Sequence, residues 1–320
     1  MIAAARRGIA AAVGRLPRRV RRVVRGVGRV IAGTFRACVR NRVMGLSGEA
    51  AFFAILSLPP LIFGLAGAIG FIAQRYDVAD IANFREQVLL LAGRALSSDA
   101  VNGVIAPTLD EVLGSGRFEV VSIGFLIALW SGSRALGVFV DAISIMYGLG
   151  GHRGIIRTRA LSFLLYLVFL VAGVVLLPLV LAGPTFVHWV LPEPARMVAN
   201  LYWPIVLVLS VCLLATAYHL SVPVRTRWRA DLPGAVLALL IWLAGGAGLR
   251  VVLDASVGAT SVYGPLAAPI ALLIWLYVSS LAVLIGAAFN AALDDVWPAL
   301  SGIHGNRASK VSDYLDKKGD

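Results

Sequence analysis

Ala160–Gly183 reads ALSFLLYLVFLVAGVVLLPLVLAG, a run of 24 residues without a charge. Wound as an α-helix rising about 1.5 Å per residue, it is long enough to cross the ~30 Å hydrocarbon core of a bilayer. Its apolar side chains point all around the helix, which suits lipid better than the one-sided burial of a soluble protein. The stretch predicts an all-α, membrane-spanning chain.

Three further spans lie C-terminal to it. Leu201–Val222 is clear. Leu232–Leu253 contains Gly245, Gly246, Gly248 and Arg250, and Pro265–Leu293 is followed by a polar tail. On the N-terminal side, Ala50–Ala73 is another 24 residues without a charge. Its Pro59-Pro60 pair is expected to kink or break the helix, a defect that membrane helices tolerate when neighbours satisfy the freed backbone groups. Val120–Trp130 supplies only eleven largely apolar residues before Ser131, Ser133 and Arg134, with Asp141 beyond. Taken alone, it fits a span or a re-entrant segment. The expected architecture is six transmembrane helices near 50–73, 120–146, 160–183, 201–222, 232–253 and 265–293 within a membrane domain 45–293. Residues 75–117 are polar but keep helical apolar spacing, and predict a short amphipathic helical hairpin outside the bilayer. An arm, 1–44, and a polar tail, 294–320, flank the domain.

Composition agrees. The chain is 59% hydrophobic and 14% charged, where soluble domains carry about a quarter charged residues. The net charge of +12 is concentrated: twelve arginines and no acid lie between Met1 and Arg42, while the other 17 Lys and Arg balance all 17 Asp and Glu. Within this arm Val20, Val23, Val24, Val27, Ile31, Phe35 and Cys38 form one stripe at helical period. Arg18, Arg21, Arg22, Arg25, Arg29, Arg36 and Arg40 lie opposite. That pattern predicts a basic amphipathic helix in the headgroup layer of an anionic leaflet, with anionic lipids as partners. A secretory signal would need a longer uninterrupted apolar core, and a transit peptide is usually serine-rich. No aromatic residue accompanies the arginines before Phe35, which disfavours a nucleic-acid arm. With six spans, the side holding both termini carries 22 basic residues and the other side 5. The positive-inside rule then puts both termini in the cytoplasm.

Three segments together resemble a known family: SGEAAFFAILSLPP at Ser47–Pro60, LWSGSRALGVFVDAISIMYG at Leu129–Gly148, and YGPLAAPIALLIWLYVSSLAVLIGAAFNAAL at Tyr263–Leu293. An apolar-Ser-x-Pro-Pro first span, a W-S-x-S-R turn and a Y-G…W-L-Y…N sixth span rarely coincide. The chain resembles the YihY/BrkB family of bacterial inner-membrane proteins over about Gly45 to Leu293. The resemblance implies a six-helix domain in the bacterial plasma membrane, with 120–146 a true span. It also brings an old family name, ribonuclease BN, and links to envelope biology and lipid or precursor movement.

The nuclease name finds no support in the residues. The four histidines, His152, His188, His219 and His304, form no HxH, HxxE or HExxH arrangement, and two-metal hydrolysis needs converging ligands. Cys38 and Cys212 lie in no CxxC or Cys/His cluster. No phosphate-binding GxxxxGK[ST] loop occurs. The expectation is a non-enzyme with no metal and no cofactor. Charged groups inside a bilayer cost about 2.5–3.5 kcal/mol at mid-helix on insertion scales, so their positions point to function. Glu49, Ser131, Ser133, Arg134, Asp141 and Asn290 are expected to converge on a cytoplasm-facing polar cavity, or to form a structural ion pair. Arg250 and Asp254 at i,i+4, with Tyr263 nearby, predict a structural group near the outer ends. Gly245, Gly246 and Gly248 predict close helix approach or unwinding. The sequence favours a transporter or flippase-like protein for an anionic lipid or envelope precursor. The alternative is a non-catalytic scaffold binding envelope proteins. Homo-oligomerisation is left open.

Overall fold

The computed structural model describes residues 18–73, 118–151, 153–190, 196–224, 227–256 and 267–298, with isolated positions between 82 and 110. Among the described residues there are seven α-helices and no strand. They are α1 (Arg18–Arg40), α2 (Val43–Ala73), α3 (Phe118–Met146), α4 (Ile155–Val190), α5 (Arg196–Ser221), α6 (Leu232–Ser256) and α7 (Ala267–Val296), with a 3₁₀ turn at Trp228–Ala230. Helices α2 to α7 each carry a window long and apolar enough to span a bilayer.

The structure corrects several details. α3 is unbroken, so residues 130–134 are helix and not a turn, and the second span is a continuous helix. Pro59 and Pro60 likewise lie inside an unbroken α2. The Ser57 hydroxyl donates to the Ala54 carbonyl there at 2.7 Å. α4 begins at Ile155, five residues before the expected start, because Arg157 and Arg159 interrupt the hydropathy without interrupting the helix. The expected helices of 75–117 and the polar tail from 299 lie outside the described residues, apart from a few positions. Arg85 and Asp110 form a two-pronged ion pair across the insert, with Nη2 to Oδ2 at 2.9 Å. The guanidinium holds the Asp110 carboxyl below its usual range.

Membrane helices lack a hydrophobic force between them and pack through small residues. α2 packs along α3, and α6 along α7. A Cβ on Gly132 would fall 2.1 Å from the Tyr166 ring of α4, and one on Gly245 would fall 2.3 Å from Val278 of α7. Gly246 sits tightly on Trp275, whereas Gly248 meets nothing. Close approach, not unwinding, is what Gly245 and Gly246 allow, since α6 is continuous. Trp242 stacks beside Trp275 at 5.0 Å and donates to Ser279 at 2.9 Å. α3 is the most enclosed span, with half of its window buried, against 11% for the window on α6. Val168, Val171, Val208, Leu240 and Val251 stay exposed on the outer surface, as a lipid-facing wall requires.

A buried cluster joins Val43, Ile143, Met146, Tyr147, Tyr218 and Leu284. It marks one end of the bundle, where α1 and the α3–α4 and α5–α6 connections also lie; we term it the basic end. α1 runs antiparallel to the last turns of α7: Gly26 meets Trp297 and Gly33 meets Ala292. Arg42, at φ 52°, turns the chain from α1 into α2.

Candidate functional site

α3 carries Arg134 and Asp141 seven residues apart on one face, two helical turns. By helix rise Arg134 stands about 18 Å from the end of α3 at Met146, near the middle of the helix. The chain then turns back through residues 147–154. Gly148 and Gly151, at φ 70° and 79°, supply the left-handed conformations that side-chain-bearing residues resist. The turn brings α4 alongside α3, with Ile155, Thr158, Arg159 and Ser162 on the facing side. Between the two helices lies an open cleft of about 380 Å³. Its polar wall includes Arg134, Asp141, Arg153, Thr158, Arg159 and Ser162, and Ile145, Leu149 and Ile155 supply apolar surface. Three arginines face a single carboxylate. The first turn of α4 holds no acid of its own, and Asp141 of α3 is the carboxylate that lines the cleft with Arg159.

Arg134 is held from the α2 side. Its Nη2 lies 3.8 Å from Glu49 Oε1, both side chains being partly exposed, and its guanidinium sits 5.5 Å from the Phe53 ring centre. Arg153 also braces the neighbouring helix, donating to the carbonyls of Leu220, Ser221 and Val222 at 3.1–3.5 Å, at the C-terminal end of α5. Ser144 donates to the Ser221 carbonyl as well, at 3.0 Å. Burial draws the Arg153 guanidinium below the ordinary arginine value.

The expected constellation is therefore divided. Arg134 and Asp141 line the cleft, and Glu49 adjoins it through Arg134. Ser131 and Ser133 spend their hydroxyls on the carbonyls of Phe53 (3.1 Å) and Trp130 (2.8 Å). Asn290 is not part of the cleft. It is buried between α6 and α7, accepting from the Gly234 N–H at 2.7 Å and donating to the Asp231 carbonyl at 2.9 Å. Arg250 is exposed near the far end of α6; the Asp254 side chain and all of Tyr263 lie outside what is described. In the sequence Arg153 and Arg159 stand among the 22 basic residues on the side that holds both termini. The i,i+4,i+7 spacing of Ile155, Arg159 and Ser162 was the available sign that they share a helix face.

Six long apolar helices around a cluster of intramembrane charge define a polytopic all-α membrane protein. Comparison with known proteins narrows this: the chain belongs to the BrkB family, whose model, described as virulence factor BrkB, matches residues 34–310. The ribonuclease-like protein YfkH of Bacillus subtilis is 24% identical over 262 residues, covering 77% of this chain and 88% of that protein. A UPF0761 membrane protein of Tolumonas auensis is 26% identical, covering 82% and 84%. Another UPF0761 membrane protein, from Aliivibrio salmonicida, is 25% identical, covering 81% and 82%. No solved structure matches the chain.

Proposed function

We propose that the protein moves an amphipathic anion, a lipid or envelope precursor with a phosphate or carboxylate headgroup, across the membrane, and that the α3–α4 cleft receives the headgroup. The observation that carries this reading is the charge of the cleft, lined by Arg134, Arg153 and Arg159 with Asp141, and with Glu49 beside Arg134. A guanidinium presents a planar fork of donors that matches a phosphate or carboxylate. Ile145, Leu149 and Ile155 offer apolar surface in the same cleft, suited to the neighbouring chain of an amphipath. A mid-membrane arginine is costly to keep unless compensated. Glu49 compensates Arg134 through a long contact that an arriving anion can replace. In this reading the basic end faces the cytoplasm of a bacterial plasma membrane, following the excess of basic residues on that side.

The same Glu49–Arg134 contact favours a second reading, a non-catalytic envelope scaffold in which the pair only fixes α2 against α3. The ribonuclease-like name of one relative draws no support from the described residues, where no three His, Cys, Asp or Glu side chains gather. The test is transbilayer movement of labelled anionic lipid in proteoliposomes, wild type beside Arg134→Ala. Movement that is lost in the variant supports transport. Wild-type protein that moves no lipid under several ion gradients, or a variant as active as wild type, overturns it.

A further inference from the structure

We infer that α1 is a lipid-surface helix, clamped to the bundle on one face and seated by a second face on the bilayer at the basic end, where its arginines select anionic lipid. Around α1 the side chains fall into three groups at helical period. Gly26, Val30 and Gly33 form the first. Val30 is 2% exposed, and the two glycines let the helix close on Trp297 and Ala292 of α7. Arg25, Arg29, Arg36 and Arg40 form the second, all exposed. Val24, Val27, Ile31, Phe35 and Val39 form the third, an apolar stripe that the protein does not cover; Ile31, Phe35 and Val39 are 62–70% exposed.

What covers that stripe follows from its continuation and its charge. At the turn of residues 41–42 the chain enters α2, whose Met44 and Phe52 are also exposed. α2 carries a membrane span, so lipid covers its exposed apolar residues, and the stripe of α1 leads along the chain to the turn that opens that helix. An apolar stripe bordered by arginines, with no acid before Glu49, matches the boundary between acyl chains and negatively charged headgroups. The tight seat on α7 fixes which way the stripe faces. A free amphipathic arm would have to find that orientation by itself. The matched BrkB region begins at residue 34, so Arg25 and Arg29 belong to a part of this chain that precedes it. The inference stands independently of transport by the cleft.

The test uses the full chain with Cys38 and Cys212 changed to Ala. Spin labels are attached after Ile31→Cys, Phe35→Cys or Arg29→Cys. Each protein is reconstituted into vesicles of phosphatidylcholine alone or of phosphatidylcholine with phosphatidylglycerol, and relaxation by oxygen is compared with relaxation by a water-soluble nickel chelate. In the anionic vesicles, labels at 31 and 35 are expected to favour oxygen several-fold over the label at 29. Changing Arg25, Arg36 and Arg40 to Gln, or raising the salt, is expected to shift 31 and 35 toward the nickel chelate. Labels at 31 and 35 that meet the chelate as freely as 29 overturn the inference. Labels shielded from both reagents overturn it in favour of a protein partner. Equal oxygen preference in both vesicle types, unmoved by the Gln changes, overturns the selection of anionic lipid.

Discussion

Asn290 of α7 supplies the hydrogen-bond acceptor for the third residue of α6: its Oδ1 takes the Gly234 N–H at 2.7 Å. The first N–H groups of any helix lack an internal partner, and in α6 Pro233 has no N–H to offer. Asn290 Nδ2 donates in turn to the Asp231 carbonyl at 2.9 Å, so one buried amide closes both sides of the α6 entry. Removing it strands the Gly234 N–H, at about 1–3 kcal/mol for a donor left buried and unsatisfied, while the Asp231 carbonyl keeps the Ala235 N–H at 3.2 Å. Asn290→Ala is expected to lower the unfolding midpoint in detergent clearly while leaving the cleft residues intact. An unchanged midpoint would show that water reaches the Gly234 N–H and that the amide has no structural role.

Beside this contact, α6 and α7 touch backbone to backbone. A Cβ on Gly234 would stand 2.3 Å from the Gly286 carbonyl oxygen, and one on Gly286 would stand 2.6 Å from the Tyr218 hydroxyl. Tyr218 uses that hydroxyl to reach the Val283 carbonyl at 2.7 Å, so it cannot easily move aside. Gly234→Ala and Gly286→Ala are each expected to cut the yield of folded protein severely. Gly248→Ala, also in α6 but with nothing within 4 Å, is expected to be neutral or slightly stabilising. Size-exclusion profiles of the three variants check the order.

These cases also show what a sequence discloses. The six spans are legible because a bilayer demands long uncharged helices, and α4, α5 and α7 meet that demand without ambiguity. Helix ends are less legible: Arg157 and Arg159 lower the hydropathy at the start of α4, though the backbone is already helical at Ile155. That shift of five residues hides Arg159 as a cleft residue. Asn290 is visible as a polar residue within a span, but its partners lie 56 and 59 residues away, and only the packing of α6 on α7 brings them together. Ser131 and Ser133 show how small hydroxyls in apolar helices are used: Ser131 bonds across to the Phe53 carbonyl of α2, and Ser133 turns back to its own helix at Trp130.

Arg153 ties the α3–α4 turn to the end of α5 by donating to three successive carbonyls. Those carbonyls have no further turn of helix to bond to. Arg153→Ala is expected to speed hydrogen exchange in residues 144–154 and at the 221–224 segment, leaving α6 and α7 unchanged. Arg153→Lys is expected to restore protection only in part, because an ammonium lacks the planar fork that spans three acceptors. Equal protection in wild type and both variants would show that the turn is held by Ser144 and the glycines alone.

The last prediction separates the two readings of Glu49. At 3.8 Å, with both side chains about two-fifths exposed, the Glu49–Arg134 pair has the geometry of a weak bridge. Such pairs contribute about 0–1 kcal/mol, so Glu49→Gln is expected to move the unfolding midpoint little. Its effect on an anion entering the cleft runs the other way. On the transport reading Glu49 competes with that anion for Arg134, and removing the competitor leaves the guanidinium more available. Glu49→Gln is therefore expected to tighten anionic headgroup binding and to slow release, lowering KM and kcat for lipid movement together. Arg134→Ala is expected to abolish both binding and movement with a similarly small change in midpoint. If instead both variants destabilise the protein by the same large amount and the double variant adds nothing more, the pair is a structural lock, because shared loss is the signature of residues that act only through each other.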